Sequence, residues 1–111
     1  MATSTFDLRV RQQCEAARAE GQRRSYGTVA TNLGLQADSW QHLQIVIGAL
    51  KRNMRQDHRR GRPISAVAAC RADTHLPGRG YITLGHELGR YSGGDPEAFI
   101  EAEWQRFCAA A

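Results

Sequence analysis

The segment from residue 39 to residue 60 constrains the fold most, because its apolar side chains recur at helical spacing. On a wheel of about 100° per residue, one side carries Trp40, Leu43, Val46, Ile47, Leu50 and Met54. This stripe predicts a long amphipathic helix whose apolar side, Trp40 included, faces the core. Asp38 or Ser39 is expected to cap its start, and Gly61 and Pro63 to close it near Arg60.

The adjoining side of this helix contains no acid. It carries Gln41, Gln44, Gly48, Lys51, Arg52, Arg55 and Arg59. Glutamines near the start of a recognition helix can read adenine edges, and arginines further along can hold phosphates. Ser39 is a candidate for a base or phosphate contact of the same kind. A merely solvated polar face is the alternative, and the pattern alone leaves both interpretations open.

Basic residues also cluster outside this helix. The predicted nucleic-acid-binding set is Arg23, Arg24, Ser39, Gln41, Gln44, Lys51, Arg52, Arg55, Arg59, Arg60, Arg62 and Arg79. Arg23 and Arg24 precede a second helix, whose free amides can bind phosphate. The formal net charge is +4 and almost all positive charge is arginine, whose planar fork matches phosphates and guanine edges. Clustered arginine therefore favours a nucleic-acid partner.

Glycines and capping residues divide the rest of the N-terminal half into helices. Phe6, Val10, Cys14 and Ala17 follow a helical period, which predicts a first helix from Thr5 to Glu20 that ends at Gly21. Ser25 is expected to cap a second, short helix that reaches about Leu33.

The pattern changes after Pro63. Small and β-branched residues from Ile64 to Arg71 predict a short strand, and RADTHLPGRGYIT predicts the tip of a β-hairpin, a wing with Arg79 near its end. Residues 81–90 are open between a second strand and a short helix. Asp95 and Pro96 form a strong helix start, so a last helix is expected over 96–109. The predicted fold is mainly α with a small β-hairpin, a single winged helix-turn-helix-like domain over residues 1–111.

The order of these motifs resembles a known family. SYGTVATNLGL, then HLQIVIGAL, then RPISAVAACRADTHLPGRGY is similar to the DNA-binding domain of alkylguanine-DNA alkyltransferases and alkyltransferase-like proteins. There a Tyr-Gly helix precedes a recognition helix, a Pro-Cys-His-Arg segment and a Leu-Pro-Gly turn. The resemblance covers roughly residues 24 to 82 and implies a winged-helix shape that binds DNA. The pattern also looks like small winged-helix proteins of bacteria and phages.

The sequence departs from that family at the residue that carries its chemistry. The family places an acceptor cysteine directly after the proline, whereas Ile64 and Ser65 follow Pro63 here. Cys70 comes six residues too late to inherit the role, so methyl transfer to a cysteine is not expected. The three cysteines, Cys14, Cys70 and Cys108, match no metal or redox spacing, which predicts free, buried thiols.

Other chemistry-bearing residues form no recognisable site. The His86-Glu87 pair lacks the second histidine of a zinc-protease helix, and His75 beside Asp73 has too few companions to hold a metal. We therefore expect no enzyme activity, no metal and no cofactor.

Two functions stay open at this point. The first is a small basic DNA-binding protein of the winged-helix type, a regulator for instance, acting on double-stranded DNA. The second is a phage or mobile-element interaction protein, such as an anti-defence inhibitor, that docks on a host nucleic-acid-binding machine through the same arginines. No apolar run reaches the ~20 residues of a membrane span, and the N-terminus has no secretory signal pattern, so a cytoplasmic location is expected. A homodimer is compatible with either function.

Overall fold

The computed structural model describes residues 4–110, most of which are helical. In chain order the elements are α1 (Thr5–Glu20), β1 (Arg24–Ser25), α2 (Tyr26–Asn32), α3 (Trp40–Arg59), a 3-10 turn (Ser65–Ala68), β2 (Ala69–Cys70), α4 (Arg79–Glu87) and α5 (Pro96–Ala109). Within residues 4–110, none of the helices combines the length and the apolar composition that a membrane span requires.

Four of the predicted helices are confirmed, and local capping explains their bounds. The side chains of Ser4, Ser25, Ser39 and Asp95 each accept a backbone N–H from the first turn that follows. These bonds satisfy amide groups that have no partner within the helix. At the other end of α1, Gly21 adopts the left-handed conformation (φ 71°) that glycine tolerates best.

The predicted β-hairpin after Pro63 is wrong. Of the predicted strand only Ala69–Cys70 is extended, and it pairs in parallel with Arg24–Ser25. The preceding residues, Ser65–Ala68, form a 3-10 turn, and all four are buried. A short run of small apolar residues is compatible with any fully buried backbone, so its composition does not distinguish a hairpin strand from a turn inside the core.

Residues 81–90, for which the sequence left a strand and a helix open, are helical over most of their length. Tyr81 and Leu84 of α4 are buried and Leu88, its C-cap, is half-buried, a helical rather than an alternating spacing. Arg79 is consequently the first residue of α4 and not the tip of a hairpin. The fold as observed is mainly helical with a small two-stranded parallel sheet.

The core lies where α1, α3 and α5 meet the 3-10 turn. Of the predicted stripe on α3, Val46, Leu50 and Met54 are buried, and Leu43 and Ile47 are half-buried. Trp40 is the exception and a correction to the prediction, because 69% of its surface is exposed. The first turn of α3 borders an open groove. The apolar stripe therefore extends beyond the part of the helix that the core covers.

Two carboxylates are buried in this core and bind several arginines. Asp57 pairs with Arg11 at 2.7 Å and with Arg62 at 3.1 Å. Glu103 receives two hydrogen bonds from Arg90, at 2.7 and 2.8 Å. Both carboxylates are fully buried. Some arginines of this basic chain therefore neutralise buried carboxylates.

Candidate nucleic-acid interface

A largely apolar groove of about 790 Å³ lies between α2, α3 and the segment that leads into α4. Its buried or half-buried lining from α3 consists of Leu43, Ile47, Leu50 and Met54. Its exposed lining consists of Trp40, Gln44, Lys51, Arg71, Ala72, Asp73, Arg79 and Ala37. The groove therefore combines an apolar interior with cationic and polar edges.

A hydrogen bond holds the two sides of the groove together. The backbone N–H of Gly78 donates to the Tyr26 hydroxyl at 2.7 Å, which ties the start of α2 to the segment before α4. Burial raises the pKa of Tyr26 above its ordinary value, so this hydroxyl stays neutral at physiological pH. The tie fixes where α4 begins and hence where Arg79 is placed.

The segment between β2 and α4 folds back on itself beside the groove. The N–H of Arg71 donates to the carbonyl of Leu76 at 2.9 Å, and His75 adopts a positive φ of 58°. From behind, Arg23 donates to the His75 carbonyl at 3.3 Å and pairs with Glu101 at 3.2 Å. Arg23 thus supports the segment and is engaged within the protein.

Three of the predicted cations converge in a smaller depression of about 250 Å³ next to the groove. Lys51 and Arg55 reach it from α3 and Arg79 reaches it from α4. Lys51 and Arg79 line both cavities. We call Lys51, Arg55 and Arg79 the cation cluster.

Close packing and a single weak ion pair shape this cluster. A Cβ at Gly80 would lie 2.8 Å from the Lys51 Cε atom, so the lysine stem passes directly over the first turn of α4. Among the described residues, the one acid in the lining is Glu87. It lies 3.6 Å from Arg55, and both side chains are more than half exposed. Exposed pairs of this kind contribute little, so Arg55 keeps most of its capacity to bind another anion.

Several residues of the predicted set have other roles. Arg52 makes a two-pronged contact with Asp7, with both N–O distances at 2.8 Å. Arg62 pairs with the buried Asp57, and Arg24 bonds to Glu20 and Gln13. This face of α3 itself carries no acid, as predicted, but Asp7 from α1 engages Arg52, so Arg52 is not a free contact for a ligand.

The remaining predicted residues divide by position. Gln41 and Gln44 are exposed near the start of α3, and Gln44 lines the groove. Ser39 accepts the His42 N–H as the helix cap, at 3.2 Å. Exposed Arg59 and Arg60 lie at the far end of α3 and line neither cavity. At 1.5 Å per residue, Arg59 is about 12 Å from Lys51 along the helix.

Two groove residues were missed as candidate site residues. Arg71 lies at the groove edge, where it pairs with Asp73 at 2.9 Å. The apolar stripe predicts a core position for Trp40, and the signal against it is that Trp40 is the first residue of α3, at the end of the stripe. Nothing in the local sequence marks Arg71, because the fold alone brings the end of β2 beside α3.

The buried cysteines are free and unsuited to nucleophilic chemistry. Burial raises the pKa of Cys14 to about 12 and also raises that of Cys70. The Cys70 thiol donates to the Arg24 carbonyl at 3.5 Å. Since the thiolate is the nucleophilic form, both groups are held in their unreactive state at neutral pH.

Comparison with known proteins adds no assignment. No protein-family model, curated protein or solved structure matches this chain. Across residues 4–110, no group of three His, Cys, Asp or Glu side chains is arranged to hold a metal ion. The arguments for function therefore come from the groove and the cation cluster.

Proposed function

We propose that this protein binds DNA through the cation cluster, without catalysing a reaction. One observation carries the proposal: Lys51, Arg55 and Arg79 come from two helices and point to one shallow depression. Within residues 4–110, Lys51 and Arg79 make no ion pair, and Arg55 makes only the exposed one with Glu87. Three cations that converge beside a single exposed carboxylate leave an excess of positive charge, which favours a polyanionic ligand.

The residues around the cluster favour DNA over other polyanionic ligands. Gln44 lines the adjoining groove, two helical turns before Lys51, and its amide matches the hydrogen-bonding edge of adenine. α2 and α3 follow each other in the order of a helix-turn-helix, so α3 takes the role of the recognition helix in this proposal. The winged-helix relationship suggested by the Tyr-Gly motif belongs to the same proposal.

The burial of Cys14 and Cys70 argues against a reaction that uses a thiol nucleophile. Cys70 is the cysteine nearest in sequence to the groove, and it is only 1% exposed. Its burial and its bond to the Arg24 carbonyl leave it poorly placed to attack a ligand.

A salt titration tests the proposal. Binding to a labelled double-stranded oligonucleotide is measured by fluorescence anisotropy between about 50 and 200 mM salt. Arg55→Ala combined with Arg79→Ala should flatten the slope of log affinity against log salt by roughly two units, because each phosphate contact contributes close to one. Both side chains are exposed, so unfolding should be unaffected to within about 0.5 kcal/mol.

The matched control removes the same charge elsewhere. Arg9→Ala combined with Arg106→Ala takes two exposed cations from α1 and α5, which contribute no residue to either cavity. Arg106 lies 3.5 Å from the buried Glu103, which keeps its two hydrogen bonds from Arg90, and the free energy of unfolding of this control is measured alongside. This control should leave the slope near the wild-type value. An equal change in both double variants would show only a net-charge effect and would refute the site. If the wild-type protein binds neither this duplex nor its separated strands even at low salt, the proposed function is refuted, and an acidic protein surface is favoured as the partner.

A further inference from the structure

Trp40 is exposed to a degree that core packing does not explain. With 69% of its surface accessible, it leaves a large aromatic ring in water at the first turn of α3. Aromatic side chains bury the largest apolar areas, so an exposed tryptophan gives up a large contribution to the stability of the fold. Tryptophan is also among the residues most enriched at the centres of binding surfaces.

The surroundings of Trp40 specify the chemistry of a ligand. The ring lines the groove together with half-buried Leu43 and Ile47, which extend the apolar surface. Lys51, Arg71 and Arg79 lie at the edge of the same groove. Within residues 4–110, the only acid in its lining is Asp73. A flat, uncharged aromatic group joined to an anion satisfies both features, and a nucleotide is such a ligand.

We infer that Trp40 stacks on an unpaired base of the bound DNA, while the adjoining phosphates lie on the cation cluster. The inference rests on the proposed DNA binding and specifies the kind of DNA. A base inside a regular duplex is covered on both faces by its neighbours, whereas an unpaired base offers a face for stacking. The protein therefore prefers single-stranded or locally unpaired DNA over a fully paired duplex.

Three probes of one sequence test this preference: a fully paired duplex, the same duplex with a one-nucleotide gap, and the single strand that carries the unpaired base. Trp40→Ala should lower the affinity for the gapped duplex and for the single strand roughly tenfold. Affinity for the paired duplex should change much less, and the salt slope should stay at the wild-type value. Trp40→Phe keeps an aromatic face and should restore part of the loss.

Ile45→Ala is the matched control. Ile45 is exposed on the same helix, at 47%, but does not line the groove. This variant removes an exposed apolar side chain from α3 and should leave all three affinities unchanged.

Fluorescence gives a second, independent measurement. The chain has two tryptophans, so Trp104→Phe leaves Trp40 as the only one. Its emission should be quenched on saturation with the gapped duplex or the single strand, and less so with the paired duplex. If Trp104→Phe fails to fold, the affinities of the Trp40 variants still decide the question.

The outcomes separate the two proposals. The stacking role is overturned if Trp40→Ala loses the same affinity for all three probes, or loses none. In either case DNA binding stands, provided that the wild-type binding is salt-dependent. Wild-type protein that binds none of the probes at low salt overturns DNA binding itself.

Discussion

The buried carboxylate of Asp57 engages two of the arginines that make this sequence basic. Its Oδ2 atom accepts hydrogen bonds from the backbone N–H and the hydroxyl of Ser65, at 3.0 and 2.8 Å. Its Oδ1 atom faces Arg11 and Arg62. Asp57 thereby fixes the 3-10 turn against α3 and holds Arg62 on the protein, so this part of the basic run is structural.

We expect Asp57→Ala to lower the free energy of unfolding by about 3–5 kcal/mol, because it leaves Arg11 largely buried without its partner. Urea unfolding followed by circular dichroism measures the change. Asp73→Ala is the matched control, since Asp73 pairs with Arg71 on the surface and such pairs contribute less than about 1 kcal/mol. Similar losses in the two variants would contradict the structural role of Asp57.

At the scale of the elements, α1 is attached to α3 by polar contacts at its first turn. The Asp7 carboxylate receives both prongs of Arg52, and the Asp7 carbonyl accepts a hydrogen bond from Asn53 at 3.0 Å. The hydrogen bonds from Arg52 are the main cause that lowers the pKa of Asp7 below its ordinary value of 3.8. Arg52 therefore links α1 to α3, and its guanidinium is already engaged by Asp7.

This link predicts a pH dependence. A carboxyl whose pKa is lower in the folded state stabilises the protein above its ordinary pKa, and that stability is lost as the pH falls through the folded value. For Asp7 the loss falls below about pH 4. We expect Asp7→Asn to be less stable than wild type at pH 7 and to lose less stability on further acidification, as measured by thermal midpoints between about pH 7 and pH 3.

Glu15→Gln is the control, because Glu15 is an exposed carboxylate on the same helix. It should reproduce the acid profile of the wild type. If Asp7→Asn also followed that profile, the Asp7–Arg52 contact would not contribute to acid sensitivity.

For the whole molecule, the distribution of thiols gives a test of the packing. Cys14 and Cys70 are each 1% exposed, whereas Cys108 is half-buried on α5. Burial also keeps the first two protonated, with the pKa of Cys14 at about 12. A thiol reagent should therefore label only Cys108 at appreciable rate in the native protein and all three cysteines in denaturant.

The same packing predicts that reductant leaves the thermal midpoint unchanged, because the three thiols are free. Rapid labelling of more than one cysteine in the native state would show that the core opens more readily than its burial implies. An intramolecular disulfide in the mass spectrum of the native protein would contradict the arrangement directly.

The sequence by itself determined the parts of this protein that depend on nearby residues. The caps at Ser25 and Ser39, the stop at Gly21 and the Asp95-Pro96 start are local signals, and the bonds that they predict join residues only a few positions apart. For the same reason the helices α1, α2, α3 and α5 were predicted close to their observed bounds.

The tertiary structure decided everything that joins distant segments. It paired β2 with β1 in place of a hairpin, and it brought Arg79 beside Lys51 from another helix. It also decided which arginines remain for a ligand, because the carboxylate that engages Arg52 stands 45 positions away in the chain. A periodic pattern reports which face of a helix is apolar or charged, but only the folded chain determines what covers that face, and so Trp40 is exposed and Arg52 is paired.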